Sequence, residues 1–359
     1  MTLLIEVGEA FLHAWLQKVL RSETRALESV GDDAALIDIP SGYEVLVSTD
    51  RAPLADLAVR TGTYLGHFTV MQNFSDIICK GGLPVGFLLV TLLRRDATLE
   101  YFQEIVLGAA EEARKYGGRL VGGDTKEHPL DTVVGTAIGV VPKGGAVARS
   151  GAAPDDVVAV TLTGGDRLGW RWACHVVERL CPAAVSADLM EKLKSRYVEQ
   201  SILPFKETLA AIRTGAVTSS MDMTDGLGHS LTTIGAQSGV GFVLDEVAVE
   251  GLVDTEIRPV AEALGVPLIK FAWSPGFDWE NLLTISPNHL DTARKAVRNA
   301  GGDLWPIGVV TSAKDITIGR STGPRVRLSP FSGSVFSSAP RQQMAQRWLG
   351  HVDYVNFVR

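Results

Sequence analysis

The stretch "SMDMTDGLGHS", residues 220–230, sets Asp222 and Asp225 three positions apart behind an apolar lead-in and directly before Gly-Leu-Gly. Read locally, Asp225 caps a helix and Asp222 meets solvent. Read as a pair, both carboxylates grip a cation at a point where the backbone is about to turn. A calcium hand is a poor fit, because "DMTDGLGHSLTT" lacks the D-x-D-x-D-G order and the closing Glu. The remainder of the chain has to decide between the cap and the ligand.

A chain of 359 residues exceeds one small core and predicts two domains. Its 46% hydrophobic and 21% charged content describe a globular protein. A net charge of −7 argues against a general nucleic-acid binder, which needs a basic face, but leaves room for a nucleotide whose charge a metal neutralises. The opening stretch carries Glu6 and Glu9 among its apolar residues and lacks a basic lead, unlike a secretory signal; it reads as a strand followed by a helix. No apolar run approaches the roughly 18–20 residues of a membrane span. Cys79, Cys174 and Cys181 are odd in number without CxxC spacing, which predicts reduced thiols and a cytoplasmic setting.

Strand-like runs lie at 44–50, 86–93, 118–124, 131–141 and 155–164, alternating with helical patterns at 63–80, 98–116, 166–180 and 186–213. The Gly-, Ala- and Pro-rich segment 144–156 is the expected inter-domain crossing. A second mixed region follows, with strands at "GVGFVLDEV", "ENLLTI" and "PIGVV" and a helix over 288–300. Neither strict βαβ alternation nor an all-β order results, so the expected class is α+β in two domains: 1–146, 147–336, and a tail over 337–359.

Four further aspartates share the setting of the opening pair. Asp33 lies in "GDDAAL", Asp50 ends "VLVSTD", Asp76 sits in "QNFSDIICKGG" near a helix stop, and Asp124 ends "LVGGD". Strand ends project side chains from a rigid frame into a rim, a favoured place for ligands. Mg²⁺ takes oxygen ligands and usually one or two carboxylates, so six aspartates suit several ions along a polyphosphate. Each also has a plain alternative: Asp33 in a turn, Asp76 on a solvated helix face, Gly122-Gly123 in a tight turn. The seven histidines form no HxxxH or HExxH pair, and a G-x-S-x-G elbow, a Walker A loop, kinase signatures and G-x-G-x-x-G are all absent.

In order, "GDDAAL", "VSTD", "NFSDIICKGGLP", "GGRLVGGDT", "ARSGAAPDD", "MDMTDGLGHSL" and "PIGVVT" resemble the thiamine-monophosphate kinase family. That family belongs to a wider group with aminoimidazole-ribonucleotide synthase, selenophosphate synthetase and a hydrogenase maturation factor. The resemblance covers about residues 25–320. It implies an N-terminal ATP-binding domain, a C-terminal α+β domain, and a homodimer formed through the N-terminal sheets. It also implies ATP in the inter-domain cleft, with Mg²⁺ ions held by Asp33, Asp50, Asp76, Asp124, Asp222 and Asp225. Ser48 and Thr49 would assist, Gly123 would offer backbone, Arg149 would meet phosphates, and Thr224 stands where the family commonly has Ser. The implied reaction is in-line phosphoryl transfer, catalysed by positioning and charge neutralisation with Asp50, Asp222 and Asp225 at its centre. The other reaction open within the group is amide activation by a synthase or cyclase, and a nucleotide-binding regulator without turnover is the non-catalytic alternative.

The acceptor side departs from the family. Leu57 stands near the place of a substrate-facing His, and "SPGFDWENLL" replaces Gly-Gly-Glu-Asp-Tyr-Glu-Leu, putting Phe277 at the first Glu and Trp279 at the Tyr. These rings either pack in the core or stack on a flat heteroaromatic acceptor. The expectation is therefore an Mg-ATP kinase for a small heterocyclic phosphate or alcohol, with an altered acceptor site.

Overall fold

The run "GTYLGHFTVMQNFSDIIC" folds as helix α1, Gly62–Cys79, and lies almost wholly buried. Thr61 starts it, its side chain accepting from the Tyr64 N–H at 3.2 Å, and the chain leaves at Gly81 with φ +84°. Such a helix needs neighbours on all sides. The computed structural model describes residues 35–38, 42–52, 57–165, 167–180, 185–319 and 325–328, and in it α1 lies between a sheet and helix α2, Leu99–Lys115. Gly66 permits the close helix crossing: a Cβ there would stand 2.2 Å from the Ile105 carbonyl oxygen.

The sheet beneath α1 has five strands, β1 (Ala35–Asp38), β2 (Tyr43–Arg51), β3 (Leu83–Leu93), β4 (Leu120–Glu127) and β5 (Thr132–Pro142), in the order β1-β2-β5-β3-β4. Alternation along β5 is regular, with Val133, Gly135, Ala137, Gly139 and Val141 buried and their neighbours half-exposed. The strand expected to stop at Asp124 continues to Glu127, because parallel pairing with β3 runs on through Leu93 opposite Glu127. Asp124 is thus inside an edge strand instead of at its end.

The second sheet has seven strands: β6 (Val157–Leu162), β7 (Val217–Asp222), β8 (Gly241–Asp245), β9 (Asn281–Ile285), β10 (Asp303–Thr311), β11 (Ile316–Gly319) and β12 (Val326–Leu328), ordered β12-β11-β8-β10-β6-β9-β7. Helices α3 (Trp170–Leu180), α4 (Ala187–Glu199), α5 (Phe205–Ile212), α6 (Gly226–Ser238) and α7 (Leu290–Asn299) accompany it, with shorter turns between. The single helix expected over 186–213 is two, since Pro204 has no N–H to continue the ladder and takes the N-cap of α5. The arrangement is α+β with two sheets, as the sequence predicts. Among the described residues no helix is long and apolar enough to cross a membrane. Asp33, Cys181, the 1–34 opening and the 337–359 tail fall outside the described residues.

The crossing segment is pinned on both sides. Val147 N–H donates to the Lys80 carbonyl at 3.1 Å, and Ser220 N–H donates to the Ala148 carbonyl at 2.9 Å. Lys80 itself is buried and its Nζ donates to the Ser220 carbonyl at 2.5 Å. These three bonds join the end of α1, the crossing segment and the edge strand β7.

Candidate active site

β7 ends on Asp222, paired with Asn281 of β9. Past it the chain turns sharply: Met223 N–H donates to the Glu280 carbonyl at 2.9 Å, and Gly226 N–H to the Met223 carbonyl at 2.8 Å. Gly226 takes φ +84° where a Cβ would lie 2.5 Å from the Ser274 carbonyl, so only glycine serves there. Asp225 occupies the N-cap position of α6 yet makes no cap hydrogen bond; it is 61% exposed, with His229 Nε2 at 3.9 Å. The cap reading of the opening stretch thus lacks the bond that would define it.

Asp222 is buried, and its Oδ2 accepts from Ser75 Oγ at 2.7 Å and Thr224 Oγ1 at 3.3 Å. Asp76, the next residue along α1, is also buried and accepts from Ser48 Oγ at 2.5 Å. Asn73, one turn earlier, accepts from the Asp50 N–H at 2.9 Å. One helix end therefore binds β2 of one sheet and β7 of the other, gathering Asp50, Asp76 and Asp222. Side chains alternate along β2, so Thr49 faces away, its Oγ1 donating to the Gly135 carbonyl at 2.8 Å.

Gly123 shares a row with this group. Asp50 pairs with Gly135, Gly135 with Leu89, and Leu89 with Gly123. Its φ of +153° would bring a Cβ to 1.8 Å from the Leu89 carbonyl oxygen. Asp124 is 55% exposed and occupied locally, with Thr125 N–H at 2.9 Å and Lys126 Nζ at 3.2 Å. Arg149 is half-buried in the crossing segment, one residue past the bond to Ser220.

The donor set around the end of α1 is all oxygen, the kind hard divalent cations take. Among the described residues no three His, Cys, Asp or Glu side chains stand close enough to hold an ion by themselves. The site fits Mg²⁺ that draws much of its coordination from phosphate oxygens, and does not fit a closed protein-only cage.

At the positions the resemblance assigns to the acceptor, Phe277 N–H donates to the Thr224 carbonyl at 3.1 Å, directly behind the Asp222 turn. Its backbone sits at φ +56°, a left-handed conformation that costs a non-glycine residue about 1–3 kcal/mol. Its half-buried ring meets Phe68 of α1 edge-on at 5.2 Å. Trp279 is 2% exposed and packed against Phe68 at 5.3 Å, and Leu57 is 1% exposed; both are core residues in this structure. Burial lifts the Asp278 carboxyl to about 6 and that of Glu280 to about 8.

Motif reading passed over Asn73, Ser75 and Lys80. Polar residues at 73, 75 and 76 in the buried last turns of the helix, and Lys80 at its cap, are the signal that points to them.

Residues 31–141 match the family model "AIR synthase related protein, N-terminal domain". The chain is 28% identical over 317 residues to thiamine-monophosphate kinase of Synechococcus elongatus, covering 86% of this chain and 90% of that one. It is 28% identical over 315 residues to the same enzyme of Escherichia coli K12, covering 85% and 91%. Carbamoyl dehydratase HypE of Cupriavidus necator is 27% identical over 241 residues, covering 66% and 65%. Among solved structures, AaThiL complexed with AMPPCP and TMP superposes with a TM-score of 0.72 at 23% identity, over 90% of this chain and 97% of that one. HypE in complex with ATP gives 0.61 at 20% identity, over 93% and 99%. The fold is that of these solved structures, and residues 31–141 match the N-terminal domain of AIR synthase related proteins. Over most of its length the sequence is similar to thiamine-monophosphate kinases.

Proposed function

We propose that the chain transfers the terminal phosphoryl group of ATP to a small heterocyclic phosphate or alcohol, with Mg²⁺, in the cleft between its two sheets. Similarity to thiamine-monophosphate kinases over most of the chain supports an ATP-dependent phosphotransferase. The observation that carries the rest is the convergence of Asp50, Asp76 and Asp222 on the end of α1, tied through Asn73, Ser48 and Ser75.

Asp50, Asp76 and Asp222 would hold Mg²⁺ together with the phosphates of ATP, with Asp33, Asp124 and Asp225 as further carboxylates. When bound, Mg²⁺ neutralises the charge of the phosphate chain. The chain's own residues do the positioning. Ser75 and Ser48 fix the Asp222 and Asp76 carboxylates, and the Gly123 backbone permits close approach at the sheet edge. Arg149 supplies a planar cation suited to phosphate oxygens. A phosphate acceptor is already ionised, so no strong general base is required.

Phe277 is the acceptor-facing residue of this reading, held in its left-handed turn beside Thr224. Its ring offers a face to a planar heterocycle. The division near residue 146 separates the nucleotide half from the acceptor half. A second copy covers the exposed Leu83, Val85, Leu88 and Val121 of the N-terminal sheet, giving a homodimer. Cys79 and Cys174 are buried thiols outside any disulfide, in keeping with a reducing cytoplasm.

The test is purified protein with Mg-ATP and a panel of acceptors headed by thiamine monophosphate, read by ³¹P NMR. ADP with a phosphorylated acceptor supports the kinase. The likeness to HypE sustains a second reading, an amide-activating reaction, in which ADP appears with free phosphate. No acceptor-dependent ATP consumption across the panel leaves a nucleotide-binding regulator.

A further inference from the structure

Arg171 of α3, 1% exposed, is a deeply buried charge that the proposed chemistry leaves unused. A buried guanidinium is strongly unfavourable unless its donors are matched and its charge is balanced. Here Nη1 donates to the Tyr197 carbonyl and to Ser201 Oγ, each at 2.6 Å. Nη2 donates to the Tyr64 hydroxyl at 3.0 Å, which also lies 3.1 Å from Ser201 Oγ. The guanidinium stacks over the Tyr197 ring at 4.2 Å and lies 5.3 Å from the centre of Trp279. Asp278 is the carboxylate whose charge acts on it.

These partners come from different parts of the chain. Tyr64 is in the first turn of α1, whose last turns carry Ser75 and Asp76. Tyr197 and Ser201 close α4. Trp279 and Asp278 flank Phe277 in the acceptor segment. A helix of 18 residues is a rigid rod of about 27 Å, so fixing its first turn fixes its far end. Arg171 thus touches both the element that carries the carboxylates and the segment that carries Phe277. The cavity beside it, about 30 Å³ and lined by Thr163, Arg167 and Gln200, is too small for a heterocycle. Any influence on the acceptor therefore passes through the neighbouring chain.

We infer that Arg171 is a positioning residue that sets the acceptor segment 275–280 in register with α1, and hence Phe277 against the carboxylates. The effect on acceptor binding rests on the kinase reading; the mechanical role does not. Tyr64→Phe deletes one hydroxyl and leaves the ring packed, and Arg171→Lys keeps the charge while removing the fork.

The decisive measurement is amide hydrogen exchange on the full-length variants. In both, residues 223–226 and 275–281 are expected to exchange roughly tenfold faster or more, the equivalent of one hydrogen bond to a charged group, while β10 and β11 keep the wild-type rate. With an acceptor in hand, its KM rises while that of ATP holds. Uniform acceleration throughout the chain, or unchanged exchange at 223–226 and 275–281 in Tyr64→Phe, overturns the inference. Should wild-type protein phosphorylate nothing, the kinase reading falls and the exchange result still decides the role of Arg171.

Discussion

Ser75 donates a hydrogen bond to Asp222 at 2.7 Å across 147 positions of sequence. The bond joins the last turns of a helix on one sheet to the end of the edge strand of the other. It orients a buried carboxylate at the end of β7. Asp76, beside Ser75, receives the same treatment from Ser48.

Asp76→Asn and Asp222→Asn are each expected to lower phosphoryl transfer by about 100- to 1,000-fold, the range for losing one preorganised electrostatic contact. Circular dichroism and urea midpoints should stay near wild type. Ser75→Ala should be milder, because the carboxylate survives with a looser orientation. Near-normal Mg-dependent turnover in both Asn variants would remove these side chains from the site.

Stripping divalent ions with a chelator is expected to weaken AMPPCP binding by calorimetry, and added Mg²⁺ to restore it. In Asp222→Asn the restoration should be much reduced. Binding that ignores chelation altogether would separate the carboxylates from any metal role.

Gly123→Ala places a Cβ against the Leu89 carbonyl oxygen at a backbone angle that L residues rarely adopt. The expected loss in urea denaturation is about 1–3 kcal/mol from the backbone alone. A variant as stable as wild type would mean that β4 rearranges at no cost.

The strands of the N-terminal sheet were legible because their β-branched runs end in turn residues, and α1 because its apolar run is bounded by Thr61 and Gly81-Gly82. The extent of β4 was not, since "GGDTKE" has no apolar signal and is held by pairing with β3 alone. The break at Pro204 was readable in principle; the helical pattern on either side masked it. At the site, strand-end position singled out Asp50 and Asp124, of which Asp124 lies inside β4. It did not reveal Ser75 or Asn73, whose partners lie in distant elements. Nor did it reveal that Trp279 sits under Phe68 and beside Arg171, because packing against another element leaves no local mark in the sequence.

Glu280 gives a pH signature. Burial raises its carboxyl from 4.5 to about 8, against hydrogen bonds from Thr161 and Thr163 that favour the charged form. The folded state holds the proton more tightly than the unfolded one. Stability from this group is therefore complete below 4.5, declines as pH rises, and is gone above about 8. Glu280→Gln should flatten that decline by up to about 1.4 kcal/mol per pH unit, measured by urea denaturation across the window. An unchanged slope would mean Glu280 is ionised in the folded protein.

Phe277→Ala should raise the acceptor KM roughly two- to tenfold, the worth of one aromatic contact, with the ATP KM unmoved. A matched rise in both constants would show that the turn at Phe277 supports the Asp222 loop and does not face the acceptor.

Lys80, Val147, Ala148 and Ser220 sew the crossing segment to both sheets. Such stitching makes the two halves poor candidates for exchange with homologous halves from other proteins. A chimera joined at the crossing would inherit a seam whose buried ammonium and carbonyl no longer meet, so recombination with similar chains should favour transfer of the whole chain.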